Sequence, residues 1–333
     1  MNGFDDMLDN ISHKVHIIDI PIMRNIMLFS DLKVLFLLIL IFKKNKFSMV
    51  HSVSPKAGLL CCISAWITRI PIRLHTFTGQ VWLTKKGLFR WVLKLFDRLV
   101  VMLNTNILID SFSQQNFLIE EGGLSSELSS VIGLGSISGV DINRFIPSMS
   151  QKKMIRNKFG IESNKIVLMF LGRLKREKGV IELAKAFNEV FKINKNIILF
   201  IVGQDEESLK QELQLILHSC SDSVRFIGFT KNPEQFMSAS DIFVLPSFRE
   251  GFGNVIIEAA CCGVPSIASN IYGLNDAVID GETGILTSVA SKSSLKDAMI
   301  KLINDKKLRI SMGKKARVRA VNFFSQESIT IAI

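Results

Sequence analysis

The segment that most constrains the fold is Asp241–Pro265, where a short apolar run is followed by a glycine-containing loop and a helical pattern. The run Ile242–Leu245 is typical of a buried parallel strand. The loop contains Gly251 and Gly253, and the helical pattern covers Asn254–Cys262. Such a loop lets the backbone approach a ligand closely, and the first amides of the helix favour an anion. The segment therefore predicts a phosphate-and-sugar site at the end of a parallel strand.

Apolar and helical segments alternate along most of the chain, which predicts an α/β fold with doubly wound parallel sheets. The predicted strands of the first series are Val15–Ile20, Phe47–Ser52, Ile70–Thr76, Arg98–Asn104 and Ser130–Leu134. Those of the second series are Ile166–Leu171, Ile197–Val202, Val224–Ile227, Ile242–Leu245 and Pro265–Ala268. Helices are expected between most of these strands.

The alternation breaks between Gly139 and Lys153, where polar residues predict an interdomain linker. A chain of 333 residues is long enough for two domains of ordinary size. We therefore predict a first Rossmann-like domain over residues 1–147 and a second over residues 148–333. Ligands of such sheets bind beyond the carboxyl ends of the strands, so the site is expected in a cleft between the domains.

Two cations follow the predicted strand Ile166–Leu171, namely Arg173 and Lys178, with Gly172 and Gly179 beside them. An arginine fork and a lysine point charge at this edge can bind a diphosphate. On spacing alone, a solvated basic cluster at the start of a helix explains the pattern as well.

Two carboxylates flank the glycine loop, Glu250 before the helix and Glu258 within it. Because an ionised carboxylate is purely a hydrogen-bond acceptor, either one can bind sugar or ribose hydroxyls. A carboxylate that merely stabilises the helix dipole is the alternative for each residue alone.

Two histidines, His51 and His75, end predicted strands of the first sheet on the ligand side. A single histidine is usually structural, but two at strand ends favour a role at the site. Thr78–Gln80 follow the second of these strands and are candidates for an acceptor pocket.

The net charge of +11 is concentrated in a stretch without acidic residues between Asp31 and Asp97. A basic face of this kind suits anionic lipid, so we predict peripheral membrane contact through residues 33–94. A buried helix followed by a solvated lysine cluster is the alternative. The apolar run Val34–Phe42 is too short to span a bilayer. The stretch contains no nucleic-acid-binding motif, so no nucleic-acid partner is expected.

The five cysteines include two adjacent pairs in apolar runs, and this arrangement suits buried packing in a reducing compartment better than a disulfide framework. No spacing typical of a zinc site occurs. We therefore predict no metal and no cofactor, with positive side chains and a helix N-terminus in place of a magnesium ion.

Three segments together resemble the retaining glycosyltransferases of family 4, which have the GT-B fold of two facing Rossmann-like domains. These segments are GRLKREKG from Gly172, SDIFVLPSFREGFGNVIIEAACCGVP from Ser240, and SGVDINRF from Ser138. They contain a glutamate pair in E-x7-E spacing, a basic GR…KG segment upstream and a GVD…F linker. The resemblance extends from about His51 to the end of the chain.

The resemblance implies roles for individual residues. Arg173 and Lys178 correspond to the cations that bind the donor diphosphate. Glu250 corresponds to the glutamate beside the donor sugar and Glu258 to the glutamate on the nucleotide ribose. His75 corresponds to a histidine beside the anomeric centre, which makes His75 and Glu250 the predicted catalytic residues. The loop that meets the pyrophosphate and the sugar corresponds to Gly251, Phe252, Gly253 and Asn254.

The implied activity is transfer of a sugar from a UDP- or GDP-linked donor, with retention of configuration, by a front-face route without an enzyme nucleophile. The implied acceptor is a glycan or lipid-linked glycan in capsule, O-antigen or exopolysaccharide synthesis. The expected location is cytoplasmic, on the inner face of the cytoplasmic membrane. A nucleotide-sugar 2-epimerase on the same fold and an inactive nucleotide-sugar-binding remnant are the alternatives.

One departure concerns the start of the family pattern, a strand and a glycine-containing loop. Since the first strand predicted here is Val15–Ile20, the first domain is expected to lack its first strand-loop-helix unit. Loss of an inner strand would leave sheet edges unpaired, so weak stability or weak activity is expected of this chain.

Overall fold

The computed structural model describes residues 15–23 and 26–332. Its strands are β1 Met49–Ser52, β2 Ile72–Phe77, β3 Asn106–Ile109, β4 Ser129–Val131, β5 Ile166–Leu171, β6 Ile197–Val202, β7 Val224–Gly228, β8 Ile242–Leu245, β9 Ser266–Ser269 and β10 Gly284–Thr287. Its α-helices are α1 Leu28–Asn45, α2 Pro55–Ile67, α3 Gly87–Leu103, α4 Phe112–Phe117, α5 Met149–Lys158, α6 Val180–Ile193, α7 Lys210–Ile216, α8 Pro233–Ala239, α9 Asn254–Cys261, α10 Leu274–Ala277, α11 Lys292–Asn304, α12 Lys306–Phe323 and α13 Gln326–Ala332.

The strands form two sheets, and the order of the larger one locates a ligand site. The smaller sheet has the order β1-β2-β3-β4, and the larger has the order β10-β9-β8-β5-β6-β7. The strand pairs of the larger sheet are parallel. From β5 the chain adds β6 and β7 on one side, then returns to add β8, β9 and β10 on the other. The point between β5 and β8 where the order reverses is where such sheets bind ligands at the carboxyl ends of their strands.

The strands of the larger sheet are apolar on both faces, as expected of a sheet covered by helices on two sides. Every residue of β6 and β8 is buried. The aromatic side chains of Phe170, Phe187 and Phe200 are fully buried around them. Each such side chain contributes about 1.5–3 kcal/mol through burial, so this core gives the loops at its edge a rigid support.

The chain divides into two compact units, which are described separately below. The first comprises Met1–Thr76 and Leu95–Ile107, and the second comprises Phe77–Lys94 and Leu108–Ile333. The division into domains at residues 147 and 148 stays a prediction.

The strand predicted over Arg98–Asn104 is wrong, since these residues lie at the end of the helix α3 and in the residue that follows it. The apolar, β-branched run favours a strand when it is taken alone. However, apolar residues recur at helical spacing from Val92 through Phe96 and Leu99 to Leu103, which continues the helix that begins at Gly87. The strand of this region is β3, which begins three residues after the helix ends.

Two further predictions are corrected. Val15–Ile20 forms no strand, because a strand needs a partner for its backbone groups. Its apolar residues Val15 and Ile18 are exposed.

The polar residues up to Lys153 were predicted as linker, yet the residues from Met149 onward form α5. Arg156 of this helix forms an ion pair of 2.6 Å with Asp241, which precedes β8. Residues Met1–Lys14 lie outside the described part of the chain, as do Arg24, Asn25 and Ile333.

Candidate active site

A cavity of about 440 Å³ opens where β5 and β8 end, and all of its lining residues belong to the second unit. The residues that line it are Thr78, Asp110, Ile137, Ser138, Leu171, Gly172, Arg173, Lys178, Leu245, Glu250, Gly251, Phe252, Gly253, Asn254 and Val255. The set includes both predicted cations, the first glutamate and the four loop residues predicted from the sequence.

The centre of the cavity wall is an ion pair between the two loops that follow β5 and β8. Lys178 Nζ lies 2.6 Å from Glu250 Oε1, and the two side chains are 17% and 13% exposed. Ser247 Oγ donates to the same oxygen over 2.8 Å. The predicted phosphate-binding cation and the predicted sugar-binding carboxylate are therefore direct partners in the ligand-free chain.

A second pair fastens the same two loops. Arg249 Nη2 lies 3.1 Å from Glu177 Oε2, and the Phe248 backbone N–H donates to the Glu177 carbonyl over 2.9 Å. Burial raises the pKa of Glu177, but Arg249, Lys178 and Lys175 together outweigh this effect, so the pKa lies below its usual range. The charged form of this carboxyl group is thus the one that the fold stabilises.

Glycine at position 179 allows the two loops to approach each other. Gly179 has a φ of +68°, a conformation that residues with a Cβ rarely adopt. A Cβ at this position would overlap the carbonyl oxygen of Pro246. The Gly179 backbone therefore lies directly against the loop after β8, and this contact brings the neighbouring Lys178 to the same loop.

Arg173 is the more open of the two predicted cations. Its side chain is 41% exposed, and its Nη1 lies 3.5 Å from Glu206 Oε2. Lys175 Nζ is closer to the same carboxylate, at 3.0 Å. A long, exposed contact of this kind costs little to break, so the Arg173 guanidinium is available to an anion.

The N-terminus of α9 faces the cavity without a side-chain cap. Gly253, with a φ of +84°, precedes the helix and has no side chain to accept from the first amides. The next residue, Asn254, accepts from Ser136 Oγ over 2.8 Å and donates to Ser138 Oγ over 2.7 Å. The amides of this helix start are a site for an anion.

The residues after β2 and β3 pack against the loops after β8 and β9, and hydrogen bonds and ring stacking hold them together. Ser111 Oγ donates to the Gly251 carbonyl over 3.1 Å. The Gly273 N–H donates to Ser113 Oγ over 2.8 Å. The ring of Phe117 stacks between Trp82 and Tyr272, at 5.4 Å and 4.9 Å between centroids. All of these residues belong to the second unit.

Glu258 is not among the residues that line the cavity. Burial raises the pKa of its carboxyl group to about 7, while Arg144 acts against this shift and Glu234 adds to it. Arg144 in turn forms a 3.0 Å ion pair with Glu234. Within residues 15–23 and 26–332, no hydrogen bond to the Glu258 side chain occurs. The predicted contact of Glu258 with ribose therefore stays a prediction.

His75 belongs to the first unit and lies on β2 beside β1. Its Nδ1 is 2.9 Å from Ser52 Oγ, on one face of the sheet, whereas His51 Nε2 contacts Thr76 Oγ1 at 2.7 Å. A Cβ on Gly58 of α2 would overlap the His75 ring, so glycine makes room for the imidazole. Burial, together with His51, lowers the pKa of His75 to about 4. The imidazole is therefore neutral near pH 7, and its catalytic role stays a prediction.

A family model described as "Glycosyl transferases group 1" matches residues 151–319 of this chain. The chain belongs to this family. The resemblance to family 4 glycosyltransferases is thereby confirmed.

Two curated relatives match nearly the whole chain. The capsular polysaccharide biosynthesis glycosyltransferase CapM of Staphylococcus aureus is 34% identical over 93% of this chain and 81% of its own length. The UDP-Gal:alpha-D-GlcNAc-diphosphoundecaprenol alpha-1,3-galactosyltransferase of Escherichia coli is 29% identical over 96% of this chain and 82% of its own length. Both are glycosyltransferases by name.

Solved structures confirm the fold class. Anabaena Alr3699/HepE, crystallised with UDP and glucose, superposes with a TM-score of 0.81 at 22% identity, over 99% of this chain and 87% of its own. Sucrose-phosphate synthase from Thermosynechococcus elongatus gives a TM-score of 0.79 at 21% identity, over 93% of this chain and 78% of its own. The chain therefore has the GT-B architecture with two parallel sheets of Rossmann type.

Sequence reasoning missed Asp110, Ser136 and Ser247 at the site. Asp110 directly follows β3, whose position was predicted wrongly, and with β3 assigned to Asn106–Ile109 it would have been a candidate at a strand end. Ser247 lies inside the segment Asp241–Pro265, but only the tertiary structure shows its contact with Glu250.

Proposed function

We propose that this chain transfers a sugar from a nucleotide-diphosphate sugar, UDP- or GDP-linked, to a glycan or lipid-linked acceptor with retention of configuration. The observation that carries the proposal is the convergence of Arg173, Lys178 and the uncapped start of α9 on one cavity at the reversal point of the larger sheet. This combination of two cations and free amides matches the diphosphate of such a donor.

The positive charge for the leaving diphosphate comes from the protein in this proposal. Lys178 and Arg173 bind the phosphate oxygens, and the helix dipole of α9 adds to their effect. The proposed reaction therefore uses no metal and no cofactor beyond the donor. Transfer that is unaffected by a chelator such as EDTA is the corresponding expectation.

The proposed division of work between the glutamates follows from their surroundings. Glu250 is held by Lys178 and Ser247 and lines the cavity, which suits a hydrogen-bonding role beside the sugar. A carboxylate already engaged by an ammonium group is a poor nucleophile, and this supports a front-face transfer without a covalent intermediate. Glu258 is proposed to bind the ribose hydroxyls and His75 to hydrogen-bond the sugar beside its anomeric carbon.

The names of the two relatives support a surface-polysaccharide role. One is assigned to capsular polysaccharide biosynthesis, and the other acts on a diphosphoundecaprenol acceptor. Taken to this chain, they favour a lipid-linked glycan as the acceptor in capsule, O-antigen or exopolysaccharide synthesis. An acceptor of this kind is embedded in the cytoplasmic membrane, which supports a cytoplasmic enzyme that works at its inner face.

A basic and aromatic segment supports the membrane contact. Residues Thr84–Trp91 are all exposed, and among them the apolar Leu88 and Trp91 are 77% and 61% exposed. Lys85, Lys86 and Arg90 lie in the same segment. Exposed aromatic and basic side chains in one segment suit the interface of an anionic membrane. None of the helices in residues 15–23 and 26–332 has the length and apolarity to cross a bilayer.

The test is a transfer assay with the purified chain and four donors, UDP-glucose, UDP-galactose, UDP-N-acetylglucosamine and GDP-mannose. The acceptors are diphosphoundecaprenol-linked mono- and disaccharides, and the product's anomeric proton coupling reports the configuration. Transfer with retention supports the proposal. Conversion of UDP-N-acetylglucosamine to its 2-epimer without an acceptor would contradict the proposal and favour the epimerase alternative. Nucleotide binding without any turnover would favour the inactive nucleotide-sugar-binding remnant.

A further inference from the structure

Asp110 is a buried carboxyl group in the wall of the cavity that the sequence did not reveal. It follows β3 directly and is 7% exposed. Its carbonyl accepts from the Ser136 N–H over 2.8 Å, and the Ile137 backbone N–H donates to its carboxyl group. These backbone contacts fix the residue, so its carboxyl group keeps one orientation at the cavity wall.

One oxygen of this carboxyl group is buried without a partner. Within residues 15–23 and 26–332, Asp110 Oδ1 has no hydrogen-bond donor. A buried acceptor left unsatisfied is costly, and folded proteins seldom keep one without a reason. Because Asp110 is one of the residues that line a ligand-sized cavity, the missing donor is one that a bound ligand can supply.

The two carboxyl groups that line the cavity differ in their partners. Glu250 has Lys178 as its cation, whereas no lysine or arginine of the described residues pairs with Asp110. The backbones of Gly251 and Thr78 pack directly beside Asp110, since a Cβ on Gly251 would lie 2.6 Å from Asp110 Oδ2 and 2.6 Å from the Thr78 carbonyl oxygen. Asp110 Oδ2 and the Thr78 carbonyl oxygen are both hydrogen-bond acceptors, so neither of them favours a phosphate.

A nucleotide sugar has a matching difference between its two ends. Its diphosphate is anionic and complements the charges of Arg173 and Lys178, while its sugar presents neutral hydroxyl donors. A carboxylate accepts from such hydroxyls and repels phosphate, so Asp110 fits the sugar end. The Gly251 backbone packs closely against Asp110 Oδ2, and only glycine fits there, since a Cβ at this position would lie 2.6 Å from that oxygen.

We propose that Asp110 accepts a hydrogen bond from one hydroxyl of the transferred sugar and thereby selects the sugar that the enzyme uses. The inference rests on the proposed function, because it assumes a nucleotide-sugar donor in the cavity. It goes beyond that function by naming a specificity-determining residue in the wall of the cavity.

The test uses calorimetric binding of donors and of their free nucleotides to the full chain, Asp110→Asn, Asp110→Ala and the control Asp297→Asn. Asp297 is 72% exposed on α11, so its substitution changes the same charge away from the cavity. The donor is whichever of UDP-glucose, UDP-galactose, UDP-N-acetylglucosamine and GDP-mannose gains most over its free nucleotide. We expect the Asp110 variants to bind that donor at least tenfold more weakly and the free nucleotide within twofold of the unsubstituted chain.

Deoxy analogues of the same donor identify the hydroxyl. For one position, removal of the hydroxyl weakens binding to the unsubstituted chain about tenfold and leaves binding to Asp110→Asn unchanged. For the other positions, both proteins lose affinity equally. This coupling between one hydroxyl and one carboxyl group is a result that a purely structural role does not produce.

Three results would overturn the inference. Donor binding by Asp110→Asn equal to that of the unsubstituted chain removes Asp110 from the sugar site. A lower melting temperature together with weaker binding of the free nucleotide would mean that Asp110 only supports the turn at Ile137. If the unsubstituted chain binds none of the four donors, the proposed function and the inference fail together, whereas the first two results leave the proposed function standing.

Discussion

Lys178 Nζ and Glu250 Oε1 are 2.6 Å apart, which joins the loops after β5 and β8 across the floor of the candidate site. The sequence assigned these residues to different parts of the donor, the diphosphate and the sugar. In the ligand-free chain each neutralises the other, so a diphosphate bound as proposed would compete with Glu250 for the lysine. The pair therefore has a structural effect and a binding effect that experiments can separate.

Lys178→Met is expected to leave the charge of Glu250 partly buried with only Ser247 as its partner. Removal of one member of a buried pair costs about 3–5 kcal/mol, and the partial exposure here reduces the expected loss to about 2–3 kcal/mol. Urea unfolding measures it. The double variant Lys178→Met, Glu250→Gln should recover most of the stability and none of the sugar transfer. Lys192→Met, whose side chain is 60% exposed, is the matched control and should change neither.

Gly179→Ala is expected to unfold or severely destabilise the second unit, because the new Cβ would overlap the Pro246 carbonyl oxygen. The control is Gly160→Ala, at a φ of +62° with no atom within 4 Å of the new Cβ. That control isolates the cost of the left-handed conformation, which is about 1 kcal/mol. Urea unfolding of both variants gives the difference. Equal losses would show that the contact with Pro246 does not constrain this loop.

Stability should fall as the pH decreases from about 6.5 to about 4 through the protonation of His75. Its folded-state pKa of about 4 is below the unfolded value of 6.5, so the unfolded chain binds the additional proton in this range. The contribution is up to about 3 kcal/mol and is present in full above pH 6.5. His75→Asn should flatten this part of the curve of unfolding free energy against pH. A curve that is unchanged by the substitution would contradict a buried neutral imidazole.

Glu258 should have the opposite effect on stability. Its folded-state pKa of about 7 is above the ordinary value of 4.5, so its contribution is present below pH 4.5 and is lost as the pH rises to about 7. Glu258→Gln should therefore be more stable than the unsubstituted chain at pH 8, by about 1–3 kcal/mol after allowance for partial exposure. The advantage should vanish near pH 4.5, and thermal unfolding at both pH values measures it.

The same substitution tests the predicted ribose contact. Glu258→Gln should weaken binding of the free nucleotide at pH 8. Glu282→Gln should not, since Glu282 is 59% exposed and is not among the residues that line the cavity. A variant that gains stability and keeps full nucleotide affinity would remove Glu258 from the donor site.

Vesicle binding tests the proposed membrane contact of Thr84–Trp91. Lys85→Glu with Lys86→Glu should reduce binding to vesicles that contain phosphatidylglycerol by at least tenfold, because each basic residue contributes about 1 kcal/mol at such a surface. Lys306→Glu with Lys307→Glu changes the net charge equally at two exposed positions of α12 and should have a small effect. Sedimentation with the vesicles measures both. Equal losses in the two variants would indicate a general charge effect without a defined surface.

The sequence determined much of the larger sheet and of the donor-side loops. The strands β5, β6 and β8 were predicted with their observed bounds, because continuous apolar runs between glycine- and lysine-rich turns have few other solutions. Arg173, Lys178 and Gly251–Asn254 were predicted because a ligand loop at a parallel strand end has a local signature, and all of them line the cavity, while their ligand contacts stay predictions.

The tertiary structure decided what local patterns leave undetermined. Arg98–Asn104 resembles a strand by composition, yet apolar residues at helical spacing make most of it the end of α3. The strand β3 therefore lies later in the chain, and Asp110 directly follows it. Neither the Lys178–Glu250 pair nor the orphaned oxygen of Asp110 has a sequence signature, since each depends on residues more than 70 positions apart or on burial by distant elements. Local periodicity specifies which segments form strands and loops, while the charges that meet at the site are set by the order in which those strands assemble.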